Sequence, residues 1–178
     1  MIAIEPLKLN LGSRNRTLPG FKNMDCDKHE NVDYVGDVSS LLMFQDNSIK
    51  EIYASHILEH FPHVKSLDVL KEWCRVLEVG GILYVAVPDF RRTIELYCKT
   101  QVLNDWMVNF LWGDQGYPTA FHYSGFDKKR LTDLLKEAGF SEVSQVEFFP
   151  QGINTKDCST LVSHYDQKPI SLNIIAVK

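Results

Sequence analysis

Three groups of residues in this chain have the types and spacing to do chemistry. The first is a pair of acids that each follow a short apolar stretch: Asp25, with Asp27 two positions on, and Asp37, followed by Val38. Carboxylates in such places suit a ligand rich in hydroxyl and amino donors and would repel a phosphate. The second is His56-Ile57-Leu58-Glu59-His60, an H-x-x-E-H pattern to which His63 adds a third imidazole. A zinc site of that kind needs a long helix and a distant acidic ligand. Here Phe61-Pro62 follows at once, so no metal is expected. The third is an aromatic set, Trp106, Phe110, Trp112, Tyr117, Phe121 and Tyr123, that surrounds His122. His122 is the candidate general base, because an imidazole with a pKa near ~6.5 accepts a proton at working pH. Asp89 and Tyr123 are lesser candidates, and a histidine that only holds its loop is the competing reading.

The ligand class follows from what is missing. A dinucleotide fingerprint wants G-x-G-x-x-G, yet the turn after the first apolar stretch reads Leu11-Gly12-Ser13-Arg14-Asn15-Arg16, with a single glycine. Asp25 also comes too soon after Gly12 for the ~20-residue spacing of the ribose-binding acid in that fingerprint. No G-x-x-x-x-G-K-[ST] occurs, which excludes a P-loop. S-adenosylmethionine carries no phosphate. Its ribose diol wants a carboxylate, its adenine amino group an acceptor, and its ammonium an acid or carbonyl near the first strand. Asp25, Asp37 and Asn10 are placed for those three tasks. Asp27 takes the place of Asp25 if the strand end slips by two, and Asp37 alternatively caps the segment that begins at Ser39. Gly12 serves the turn geometry whatever the ligand.

The elements that must hold these residues alternate in type. Strands are expected at Leu7–Leu11, Phe21–Asp25, Val32–Val35, Ile49–Ala54, Gly81–Val87, Val143–Phe149 and Leu172–Val177. Helices are expected where Val64, Leu67, Leu70, Trp73, Cys74 and Leu77 share one stripe, and from Lys128 to Ala138 with Asp127 as N-cap and Gly139 as stop. Short apolar segments separated by helical patterns predict an α/β fold: a Rossmann-like, seven-stranded, mostly parallel sheet with helices on both faces. Ligands of such sheets bind beyond the carboxyl ends of the strands. That rule singles out Asn10, Gly12 and Ser13, then Asp25, Asp37 and Val38, and Ser55 and His56.

Several stretches together resemble the class I S-adenosylmethionine-dependent methyltransferases, in a compact, type-11-like branch. They are Leu9-Asn10-Leu11-Gly12-Ser13, residues 19–25, residues 49–60, which end in Leu-Glu-His, and residues 72–81, which contain Arg-Val-Leu-x-x-Gly-Gly. Phe126 to Phe140 and Ser171 to Lys178 look like that family's last helix and final strand. The resemblance implies S-adenosylmethionine as cofactor and methyl transfer by in-line displacement. It also implies that His56 lines the cofactor pocket, that Glu59 and His60 buttress the turn, and that the acceptor pocket lies after the fifth strand. One departure stands out. The family carries a helix between its first two strands, whereas only about ten residues separate them here, too few for a helix and its turns. A loop from Ser13 to Gly20 must replace it. Arg14 and Arg16 then either pair with the methionine carboxylate or are solvated loop charges.

Composition bounds the rest. At 178 residues the chain predicts one methyltransferase domain over 1–178, with 90–124 left to select the acceptor. Lys and Arg total 19 against 23 Asp and Glu, a formal charge of -4. Lys128-Lys129-Arg130 and Arg91-Arg92 are small basic clusters in an acidic whole, so nucleic acid is a poor partner and a small-molecule acceptor a better one. Methyltransferases of base amino groups carry an Asn/Asp-Pro-Pro-Tyr/Phe motif after the fourth strand, and that position reads Ser55-His56-Ile57-Leu58. A catalytically silent cofactor-binding or partner-binding module is the alternative, favoured by the shortened first loop. No apolar run reaches the ~20 residues of a membrane span. The first residues show no export signal, and the four cysteines form no C-x-x-C pair. A cytoplasmic location and a possible homodimer are the remaining expectations.

Overall fold

The computed structural model describes residues 6–153 and 157–178, so the export-signal reading of Met1 to Glu5 lies outside the described residues. Seven strands form one sheet: β1 Leu7–Leu11, β2 Lys22–Asp25, β3 Tyr34–Val35, β4 Ile49–Ser55, β5 Leu77–Pro88, β6 Glu142–Val146 and β7 Ser171–Val177. Their order is β3-β2-β1-β4-β5-β7-β6. Only β7 runs against its neighbours; all other pairs are parallel. The fold is the expected Rossmann-like, mostly parallel α/β sheet.

Side chains alternate along each strand, and here both faces of the sheet are apolar. Leu9 and Leu11, Ile52 and Ala54, Leu83, Val85 and Val87, and Leu172, Ile174 and Ala176 all join one core. Tyr53, Tyr84, Ala86 and Ile175 join a second. Burial on both faces explains why β5 reads as a nearly continuous apolar run.

Two helices cover the first face. α1, Ser66–Val76, buries Val69, Leu70, Trp73, Cys74 and Val76. Its Trp73 is fully buried and donates its indole N–H to Val38 O at 2.8 Å. Helix α4 spans Lys128–Ala138. It starts where the Asp127 carboxylate accepts the Arg130 N–H at 2.8 Å, and it ends at Gly139 in the left-handed region. The second face is closed differently. The β1–β2 connection is a loop, as its length requires, and it lays Leu18 and Phe21 onto Tyr53, Tyr84 and Phe149.

Several boundaries differ from the sequence expectation. Gly80-Gly81 does not simply stop the preceding helix: β5 already pairs at Leu77↔Ile49, bulges, and resumes at Ile82↔Glu51. β3 keeps only Tyr34 and Val35, and β6 ends at Val146. The stretch after β5, to which the sequence reading assigned no element, contains two helices, α2 Phe90–Thr100 and α3 Asp105–Trp112. Both start at side-chain caps: Asp89 accepts the Arg92 N–H at 3.1 Å and Asn104 the Met107 N–H at 3.0 Å. Periodicity hides α2 because it buries Arg92, Thr93 and Leu96 while Phe90, Ile94 and Tyr97 stay exposed. Among the described residues no helix is long and apolar enough to cross a membrane, and all four cysteines are free.

Candidate active site

The chain runs β1-β2-β3 in one direction across the sheet and then places β4 on the other side of β1. The topological switch therefore falls between β1 and β4. A cleft opens there, lined by Asn10, Gly12, Ser13, Arg16, Thr17, Tyr53, Ser55 and Asp157. Its enclosed part measures about 20 Å³, room for one end of a ligand such as an ammonium or carboxylate group and not for a nucleoside. The hydroxyls of Ser13 and Ser55 are buried without a hydrogen-bond partner. Native structures rarely leave such groups unpaired, so two orphan hydroxyls at adjoining strand ends are the mark of a polar ligand site.

Gly12 holds the turn above this cleft at φ 65. A Cβ there would come within 1.8 Å of Ile57 Cδ1, so both the backbone angle and the space demand glycine. Asn10 has its amide protons committed, one to Arg16 O at 3.2 Å and one to Asn23 Oδ1 at 3.0 Å, and so ties the loop to β2. Asp25, at the end of β2, is buried. Its carboxylate accepts the Arg14 N–H at 2.7 Å and the Asp27 N–H at 3.1 Å. Those bonds fix the carboxylate at the loop edge and leave it further lone pairs. Asp27 and Asp37 are exposed. Asp37 accepts the Ser39 N–H and hydroxyl at 2.8 and 2.7 Å, the capping arrangement foreseen as its alternative role. Val38 is buried, with its carbonyl held by Trp73.

Beyond β4 the backbone turns sharply at His56, a non-glycine residue at φ 56. The His56 Nδ1 lies 3.1 Å from Glu59 Oε1, and its Nε2 lies 2.8 Å from Ser171 Oγ. Ser171 donates its own proton to Cys158 O at 2.7 Å, so it accepts from His56, whose Nε2 carries hydrogen. Glu59 is fully buried. Burial pushes its carboxyl up, but His56, then His60 and His122, outweigh that and hold it below the ordinary carboxylate range. The segment 110–124 wraps this turn. The Tyr123 and Ser124 N–H groups donate to Glu59 O at 2.8 and 3.1 Å, and Ser124 Oγ donates to Phe61 O at 2.6 Å. His60 Nδ1 meets Phe121 O at 3.0 Å and His122 Nδ1 meets Phe110 O at 3.1 Å. The two rings cross edge to face with centroids 4.8 Å apart. Burial lowers the His122 pKa from its ordinary value, which keeps the ring neutral.

The expected aromatic cluster divides in two. Trp106 stacks on Phe110 at 5.2 Å and Phe121 on Tyr123 at 6.1 Å, while Arg14 lies over the Tyr117 ring at 5.1 Å. That last contact joins the β1 loop to the segment around His122. Asp89 is used as the α2 cap, and burial raises its carboxyl above the usual range.

Residues 18–85 match the family model described as a methyltransferase domain, Methyltransf_11. That stretch, 68 of the 178 residues, is similar to the type-11 methyltransferases. A search of curated proteins gives no match. By fold the chain is similar to a SAM-dependent methyltransferase of Archaeoglobus fulgidus, with a TM-score of 0.60 and 15% identity over 96% of this chain and 85% of the other. A SAM-dependent methyltransferase of Methanosarcina mazei gives a TM-score of 0.57 and 20% identity, covering 98% and 94%. A SAM-dependent methyltransferase of Thermotoga maritima, described as a possible histamine N-methyltransferase, gives 0.57 and 18%, covering 99% and 84%. These likenesses establish the fold. The fold thus gathers Asn10, Gly12, Ser13, Asp25, Ser55 and His56 along adjoining strand ends, with His122 on the far side of the β4 turn. Glu59 is the residue that sequence reasoning undervalued. Its signal was the H-x-x-E-H pattern, but the histidine that gives it meaning, His122, lies far away in sequence.

Proposed function

We propose that the chain is an S-adenosylmethionine-dependent methyltransferase that acts on a small-molecule acceptor through an oxygen or nitrogen nucleophile, in a pocket built by residues 90–124. Bound S-adenosylmethionine supplies a methyl group on a sulfonium leaving group. The residues proposed to hold it are Asp25 for the ribose hydroxyls, Asp37 and Val38 at the adenine end, and Asn10, Gly12, Ser13, Ser55 and His56 around the methionine end. The orphan hydroxyls of Ser13 and Ser55 support that placement, because each lacks the partner that a buried hydroxyl needs. Arg16 lines the same cleft and is the cation nearest to a carboxylate bound there.

His122 carries the acceptor side of this reading. Its Nδ1 faces a backbone carbonyl, which can only accept, so the ring proton sits on Nδ1 and Nε2 keeps a lone pair. A neutral, oriented imidazole of this kind can take a proton from an acceptor hydroxyl or ammonium. Phe110, whose carbonyl meets the His122 ring, stacks on Trp106, and Phe121 stacks on Tyr123 on either side of His122 in sequence, so aromatic surface lies beside the base.

The test is transfer of labelled methyl from the cofactor into a fractionated small-metabolite extract. His122→Ala should lower turnover by roughly 10²–10⁴-fold and leave calorimetric affinity for S-adenosylhomocysteine within about twofold. Label that enters only protein or nucleic acid would overturn the acceptor class. Turnover unchanged in the variant would remove His122 from the mechanism.

A further inference from the structure

Beyond the end of β4, three acceptors converge with no donor among them. Glu59 is 0% exposed, and neither of its carboxylate oxygens accepts a hydrogen bond. Among the described residues its one close charge partner is His56, whose Nδ1 lies 3.1 Å from Oε1 without the alignment of a hydrogen bond. His60 and His122 each spend Nδ1–H on a backbone carbonyl, Phe121 O and Phe110 O, so each neutral ring keeps its lone pair on Nε2. One ligand atom from each of Glu59, His60 and His122 lies within 4.8 Å of the others. Two lone pairs and a buried carboxylate in so small a volume repel one another unless a cation stands between them.

We propose that Glu59, His60 and His122 form a binding site for a divalent metal ion of the zinc class, facing the acceptor pocket. Two imidazoles and one carboxylate are a donor set that suits zinc and its borderline neighbours, and three protein ligands leave a position open for substrate. A backbone carbonyl on the remote nitrogen of each histidine is the outer-shell arrangement that orients metal ligands. With bonds of 2.0–2.1 Å the ligand atoms would stand ~3.3 Å apart, so separations of up to 4.8 Å shorten by at most about 1.5 Å. The ligand set is not the one the H-x-x-E-H pattern advertises. His56 turns away to Ser171 and backs Glu59 from outside, and His122 takes its place from the acceptor segment.

This inference rests on the reading of the pocket around His122 and deepens it. With the ion in place His122 is a ligand rather than a base. An acceptor hydroxyl would then bind at the open position and release its proton to water. A proton shared between the two histidines is the competing occupant.

The experiment uses the full chain freed of metal and titrated with zinc chloride, read by calorimetry and by metal content after dialysis. One zinc per chain is expected, bound at least tenfold more weakly by Glu59→Gln and by His122→Ala. His63→Ala, an exposed histidine of the same stretch, should bind as the parent does. Retained binding of S-adenosylhomocysteine shows that each variant is folded. Absence of saturable binding at one per chain, or zinc affinity unmoved by both variants, would overturn the site and leave the shared proton. Zinc binding without methyl transfer to any small molecule would overturn the acceptor reading and keep the site. Undiminished methyl transfer by a zinc-free chain that binds no zinc would do the reverse.

Discussion

At Asp25 the carboxylate that a ribose diol would want is already accepting the Arg14 and Asp27 N–H groups. The side chain therefore shapes the loop and presents its remaining lone pairs to a ligand. Asp25→Ala should cost about 1–3 kcal/mol of stability, because two backbone donors lose their acceptor. It should also weaken S-adenosylhomocysteine at least tenfold. Urea denaturation and calorimetry read the two effects separately. A loss of stability with unchanged affinity would confine Asp25 to the loop. Gly12→Ala is expected to be worse for the ligand than for the fold. The added methyl runs into the Ile57 side chain, which must turn aside next to His56, and the left-handed backbone at φ 65 is strained for any side chain.

The acceptor pocket depends at the level of elements on how the segment after α3 returns to the sheet. Gly113 ends α3 at φ 79, and a Cβ there would lie 1.8 Å from Ala120 O, a backbone atom that cannot rotate away. The His122 N–H also bonds Trp112 O at 3.0 Å, so the same corner fixes His122. Gly113→Ala should therefore cut turnover through displacement of His122 while cofactor affinity stays within about threefold; single-turnover kinetics with calorimetry would show the split. On the first face of the sheet, α1 is anchored by Trp73. Trp73→Ala should cost about 3–5 kcal/mol in urea unfolding, as removal of a large buried side chain usually does.

Across the whole molecule, charge pairs strap peripheral segments to the sheet. Arg75 donates to Glu72, Asp46 and the carbonyls of Leu41 and Phe44, and so clamps the β3–β4 connection onto α1. Glu72 is held below the ordinary carboxylate range, chiefly by Arg75 against the opposing effect of burial. Asp166, paired with Arg92 and Lys99, is also depressed. A depressed carboxylate adds stability above its unfolded pKa, near ~4, and that stability is lost as pH falls through the folded value. The urea midpoint should hold steady near neutrality and drop below about pH 4, and Glu72→Gln should flatten part of that drop.

Much of the fold was legible in the chain because strand and helix periods are local. Leu9, Leu11, Leu83, Val85 and Val87 fall on one face by alternation alone, and a short β1–β2 connection must be a loop. Asp127 and Gly139 marked α4 through capping chemistry that involves only neighbours. Helix α2 escaped because Phe90, Ile94 and Tyr97 point outward while Arg92 and Thr93 are buried beside Leu96, which reverses much of the pattern that periodicity reads. The strand ends named Ser13, Asp25, Ser55 and His56 for the site, because ligands of parallel sheets bind there. What each of those groups does was decided by distant partners. Asp25 is claimed by Arg14, Asp37 by Ser39, and Asn10 by Arg16 and Asn23. The sequence alone determined a cofactor fold with a spare segment after β5. Only the tertiary structure set Glu59 and His60 against His122, since the chain must leave β5, build α2 and α3 and come back before those lone pairs meet.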